Sequence, residues 1–193
     1  MKSPRFILAA LLLAALGLNL LALRLGAAST KEMALIDFTD VLRERDGSVL
    51  KNYEYDFGDW SKHLTDLPRR GCLVQSPTGK GGLGENNTTV KFDKSTWLLL
   101  VFVVGNNNQA KSLNFHLEDS DGTEQVWNLS FAGLAKGVEQ HFPIDLTKPT
   151  NEAKPGKKPG LDLEKIASWQ ITGDWSDPST EVLLIKLVAL APK

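Results

Sequence analysis

The clearest pattern along the chain is an uncharged run, Thr96-Trp-Leu-Leu-Leu-Val-Phe-Val-Val104, in which eight of nine residues are apolar. Nine residues fall short of a membrane-spanning helix, and the β-branched and aromatic content favours a strand. The run reads as a strand buried on both faces in the middle of a sandwich. A hairpin follows it. Leu113, Phe115 and Leu117 alternate with Asn114, His116 and Glu118, Asp121-Gly122 supplies the turn, and Trp127, Leu129 and Phe131 alternate on the return. Asp-Gly between two period-2 segments is a strong hairpin signal. Together these segments make the domain all-β.

The remaining segments fit that class. Ala34–Phe38 reads as a short first strand. Tyr53, Tyr55 and Phe57 alternate with Glu54 and Asp56, a strand with one aromatic face that Gly58-Asp59-Trp60 breaks. Gly71–Gln75 is a short strand, and Pro77–Gly84, with four glycines in eight residues, reads as a loop. His141–Leu146 is a strand whose Pro143 points to a sheet edge or a bulge. Lys148–Gly160, with three prolines, two glycines and four lysines, reads as a mobile loop inside the domain. Leu161–Ile166 suits one helical turn capped by Asp162. Ser168–Thr172 and Glu181–Leu190 are the last strands. In the final one, strict alternation sets Leu183, Ile185, Leu187 and Ala189 against Val182, Leu184, Lys186 and Val188. About eight or nine short strands with turn signals between them and no internal repeat predict an antiparallel β-sandwich of the jelly-roll type.

The first 28 residues stand apart from this pattern. Lys2 and Arg5 precede an uncharged run from Phe6 to Leu23, and Gly26-Ala27-Ala28 follows Arg24. Positive start, apolar middle and small residues are the order of a secretory signal, and eighteen residues also reach the lower length of a spanning helix. A cleaved signal and a retained anchor at 1–28 both export a domain at 29–193, to the periplasm or the exterior. The membrane enters only through residues 6–23. No cysteine ends the run, so no lipid anchor starts there.

Composition narrows the chemistry. The net charge of −1, with acids and bases interspersed, lacks the basic stripe of a nucleic-acid binder. The single cysteine, Cys72, excludes an internal disulfide and reads as a small buried apolar residue. His63, His116 and His141 are scattered without metal spacing. There is no Gly-x-Ser-x-Gly elbow and no phosphate loop. Glu118-Asp-Ser-Asp-Gly-Thr-Glu124 starts like a calcium loop, but its twelfth position from Asp119 is Ser130, so it reads as a solvated hairpin tip.

The order of segments resembles the galactose-binding-like jelly rolls, in particular the β-glucan-binding carbohydrate modules of secreted bacterial proteins. The segments that carry the resemblance are Leu35-Ile-Asp-Phe38, the aromatic strand, Gly81-Gly-Leu-Gly84, the hydrophobic strand, the Asp119-Ser-Asp-Gly122 hairpin, and Leu161-Asp-Leu-Glu-Lys-Ile166 leading into Trp169-Gln-Ile-Thr-Gly173. The resemblance covers nearly all of residues 33 to 190. It implies two antiparallel sheets, sugars bound across one face or at loops on one end, and in many relatives a structural calcium. Asp37 and Asp40 fit the acidic positions of the first strand, but Lys186 stands where those relatives carry an acid and repels a cation. No cofactor is expected on that ground.

Sugars stack their C–H faces on exposed aromatic rings while carboxylates and amides hold the hydroxyls. Trp60 and Trp175 each follow a Gly-Asp pair in a polar break, so Trp60, Trp175, Asp59 and Asp174 are candidate ligand-binding residues, with Tyr53 and Tyr55 as a one-sided platform. The alternative is that these rings pack over the ends of the sandwich. Trp97, Trp127 and Trp169 alternate within strands and read as core. The reading is an exported, non-catalytic module that binds a polysaccharide or cell-envelope polymer. A protein-interaction module of the same fold and a small glycan-active enzyme are the alternatives.

Overall fold

The computed structural model describes residues 32–40, 42–43, 49–50, 52–92 and 97–190; the segment 1–28 read above as a signal or anchor lies outside them. The strands are β1 (Glu32–Asp37), β2 (Leu42–Arg43), β3 (Val49–Leu50), β4 (Tyr55–Gly58), β5 (Leu64–Leu67), β6 (Gly71–Ser76), β7 (Gly81–Val90), β8 (Trp97–Val104), β9 (Ser112–Asp119), β10 (Glu124–Ser130), β11 (Glu139–Asp145), β12 (Asn151–Lys154), β13 (Ile166–Gly173) and β14 (Thr180–Leu190). They form two six-stranded sheets and a β2–β3 ladder. The first sheet runs β11-β8-β14-β6-β5, with β1 also on β14; the second runs β12-β10-β9-β13-β7-β4. Every pairing is antiparallel. Among the described residues no helix is long and apolar enough to cross a membrane.

The inner faces meet in one core. Leu98, Leu100, Phe102 and Val104 of β8 face Leu113, Phe115 and Leu117 of β9 and their neighbours Trp127, Trp169 and Ile171. The Phe115 and Trp127 rings lie 6.0 Å apart, and the Trp127 indole N–H donates to the Asp145 carbonyl at 2.9 Å. Cys72 is fully buried among these apolar residues. Pro143 lies on β11, an edge strand, where no second ladder needs its missing N–H.

Five expectations are corrected. The last strand does not alternate strictly. The register shifts between Leu184 and Lys186, so Val182, Leu184, Leu187 and Ala189 share the core and Ile185 absorbs the extra residue. Trp97 is 42% exposed, because the even-numbered residues of β8 point inward. The glycine-rich segment does not remain a loop: β7 begins inside it at Gly81. The segment after Lys148 contributes the edge strand β12, held by Thr150 N–H on the Val126 carbonyl at 2.7 Å and Asn128 N–H on Thr150 Oγ1 at 2.8 Å. Finally, Asp119 at the hairpin tip is 2% exposed. Its Oδ1 accepts from the Asp121 and Thr123 N–H groups, and its Oδ2 from Asp162 N–H at 2.8 Å, which ties the tip to the loop returning from β12. As expected, Asp162 caps a short 3-10 turn at Leu163–Lys165.

Candidate binding face

On the second sheet the residues between the core positions point outward and align across strands. One row reads Val126, His116, Gln170, Gly84, Tyr55, passing through β10, β9, β13, β7 and β4. The next reads Asn128, Asn114, Thr172, Gly82, Phe57. With strands ~4.8 Å apart, five strands span ~19 Å.

At the β4 end the rows carry glycine and aromatic residues in register. A Cβ at Gly84 would stand 2.8 Å from the Tyr55 hydroxyl, and one at Gly82 would stand 3.0 Å from Phe57 Cζ. The two rings therefore lie over bare backbone, as aromatics do when they cover a neighbouring strand's glycine. Their centroids are 6.3 Å apart with a 31° tilt, and both side chains are half-buried. The Tyr55 hydroxyl is pushed up to about 12, first by burial and then by the carboxylates of Glu54, Glu118 and Glu124.

At the other end β12 forms the edge of the sheet beside β10. Asn114, His116, Val126, Asn128, Thr150, Asn151 and Ala153 line a groove of about 430 Å³. The Asn128 amide donates to Ser112 Oγ and Asn114 Oδ1, and the Asn114 amide reaches the Gly173 carbonyl. His116 Nδ1 lies 2.7 Å from Glu124 Oε1 and its Nε2 3.1 Å from Thr172 Oγ1. An ionised carboxylate only accepts, so Nδ1 carries the proton. That hydrogen bond holds the Glu124 carboxyl below the usual range.

Glu118 and Glu124 stand opposite each other on β9 and β10, but they do not form an acid–base pair. Glu118 is bonded to Lys154 at 2.9 Å, and Glu124 is held at a lowered value where a general acid needs a raised one. Among the described residues no group of three or more His, Cys, Asp or Glu is placed to hold a metal ion. The Asp121 carboxylate, like Asp119, is occupied by donors, from Thr123 and Lys158 N–H.

The residues singled out in the sequence divide between the face, the core and one end of the sandwich. Tyr55 is on the face. Tyr53 is not: it precedes β4 in a bend, turns inward to 4% exposure, and its hydroxyl is pushed up by burial with Cys72 beside it. Trp60 is fully buried in a 3-10 turn (Asp59–Lys62), with its Cβ under Gly81, so it has no free ring face to stack. Trp175 is 62% exposed on the loop leaving β13. Asp174 caps that loop, accepting from Ser176 N–H at 2.9 Å and Ser176 Oγ at 2.7 Å, and these bonds hold its carboxyl below the usual range. Asp59 accepts from Thr78 Oγ1 at 2.5 Å, and Gly79 N–H of the same loop donates to the Asp177 carbonyl at 3.0 Å. Asp59, Asp174 and Trp175 thus gather at one end through the 77–80 loop. The face also presents Phe57, Asn114, His116, Asn128 and Gln170, which are not among the candidates read from the sequence. The period-2 pattern marked the alternate positions of β9 and β10 as outward, but no local signal told which outer face the glycines and aromatics share.

No family profile and no curated protein sequence matches this chain. Solved structures do. The family 11 carbohydrate-binding module of the cellulosomal cellulase Lic26A-Cel5E of Clostridium thermocellum matches with a TM-score of 0.57 at 14% identity, over 86% of this chain and 97% of that one. The fold is a jelly-roll β-sandwich shared with that module. A second structure of a family 11 module from that organism, in complex with a β-1,3-1,4-mixed-linked tetrasaccharide, matches this jelly roll at 0.54 and 15% identity, over 83% of this chain and 95% of that one. The xylan-binding module of family 15 does so at 0.52 and 9%, over 86% and 99%.

Proposed function

We propose that this domain is a non-catalytic module that binds a polysaccharide across the outer face of the second sheet. The observation that carries the reading is the placement of the Tyr55 and Phe57 rings against Gly84 and Gly82, in register with the amide-lined groove at His116 and Asn128. Rings supply stacking surface for pyranose C–H faces, and amides supply paired donors and acceptors for hydroxyls. A face ~19 Å long suits a chain of several sugars better than a single ring. The jelly-roll neighbours, one solved with a β-1,3-1,4-mixed-linked tetrasaccharide and one a xylan-binding module, support a glycan ligand.

Trp175, with Asp174 and Asp59 behind it, provides a further contact at the end of the sandwich for a longer polymer. The charged-then-apolar start of the chain exports the domain, with residues 1–28 removed or kept as a tether. Calorimetry of residues 29–193 against mixed-linkage β-glucan and xylan tests the binding reading. Saturable binding that Tyr55→Ala weakens supports it; no heat with either polymer or their oligosaccharides counts against it. Fractionation of the tagged full chain tests export, and a purely cytosolic soluble pool overturns that part.

A further inference from the structure

A third outward row, Glu124, Glu118, Ser168, Asn86, runs beside the Tyr55 row. It continues to Glu54, whose Oε2 accepts from Asn86 N–H at 2.6 Å. Three carboxylates thus border the face from the β10 side to the β4 side. Among the described residues the cations against them are few. Lys154 on β12 lies 2.9 Å from Glu118, and His116 lies against Glu124. Lys157 and Lys158 follow β12, and the Lys158 backbone is bonded to Asp121 at the hairpin tip, past the end of the row. After burial, the same three carboxylates push the Tyr55 hydroxyl up, in keeping with their place beside the ring in the rows of the sheet.

We propose that this carboxylate row makes the face selective for uncharged polysaccharides and turns away polyanions such as uronic-acid, sulfated or phosphate-bearing polymers. The inference rests on the reading that this face binds glycan. A polyanion repeats its charge along the chain, so no register on a face this long keeps every charge away from the row. Like-charge juxtaposition then disfavours it, and salt screens the repulsion. An uncharged chain meets the same oxygens as acceptors for its hydroxyls, in hydrogen bonds strengthened by the carboxylate charge.

Affinity electrophoresis and calorimetry at pH 8 against native mixed-linkage β-glucan, xylan and agarose, each beside its carboxymethylated derivative, test this. The native polymer that binds is expected to bind at least about tenfold tighter than its derivative at low salt, and the gap closes as salt shortens the screening length. Lys154→Gln widens the gap, and Glu54→Gln with Glu118→Gln and Glu124→Gln narrows it. Equal affinities at low salt, or a gap that neither salt nor the variants move, overturn the charge selectivity while leaving glycan binding in place. Binding to no polymer at any salt overturns the glycan reading and this inference together.

Discussion

The Tyr55 hydroxyl sits where a side chain at Gly84 would begin: a Cβ built there would be 2.8 Å away. The ring on β4 and the bare residue on β7 are one structural unit, and the unit can be broken from either side.

Tyr55→Ala and Phe57→Ala are expected to weaken glycan binding about tenfold or more, as removing an aromatic anchor does. Both side chains are half-buried on an edge strand, so the folded state should survive. Calorimetry paired with a denaturation curve on each variant checks both halves.

Gly84→Ala attacks the same unit from below. Its Cβ would meet the Trp169 carbonyl at 2.4 Å as well as the Tyr55 hydroxyl, so backbone must move. The expected result is lost stability of ~1–3 kcal/mol, typical of overpacking, together with weaker binding. A melting temperature equal to the parent's would show that the ring is not seated there.

The two tryptophans that follow Gly-Asp should separate cleanly. Trp60→Ala empties the core and is expected to cost about 3–5 kcal/mol. Trp175→Ala removes a surface ring and should change stability by less than about 0.5 kcal/mol while weakening retention by long polymers. Urea unfolding and affinity gels read the two effects.

Acid should destabilise the domain. Glu124 is held below its ordinary range by His116, and Asp174 by Ser176. A carboxyl lowered in the folded state stabilises at pH values above its unfolded value, about 4, and that contribution is lost as pH falls through the lowered value. Stability is therefore expected to decline below about pH 4, and Glu124→Gln should shrink the decline. Denaturant midpoints measured from pH 7 to pH 3 test the sign.

A chelator is expected to leave the melt unchanged, because backbone N–H groups already occupy the oxygens of Asp119 and Asp121. Asp119→Ala strands the Asp121 and Asp162 N–H donors, leaves Thr123 N–H only the Asp121 carboxylate, and should cost more than ~2 kcal/mol. A chelator-sensitive midpoint would reveal a bound cation.

The hairpin, the edge position of Pro143 and the cap at Asp162 were legible because each rests on neighbours in sequence. What the chain did not disclose rests on partners far along it. The bulge that inverts β14 at Ile185 depends on pairing with β8, and one inserted residue exchanges the faces of everything beyond it. Gly82 and Gly84 look like loop residues until β4 brings Phe57 and Tyr55 across them. Tyr53 shares the spacing of Tyr55 and Phe57, but the bend before β4 ends the period-2 geometry and turns the ring into the core. The alternation puts all three rings on one face, and the bend leaves only Tyr55 and Phe57 there.

Glu32 and Leu190 face each other across the β1–β14 pair, so the polypeptide enters and leaves the first sheet side by side, behind the face that Tyr55 and Phe57 present. A surface loop of an unrelated host could be opened and joined to those two points without stretching either chain. The domain is in that sense a graftable cassette, with the Tyr55 and Phe57 face turned away from the splice wherever it is inserted.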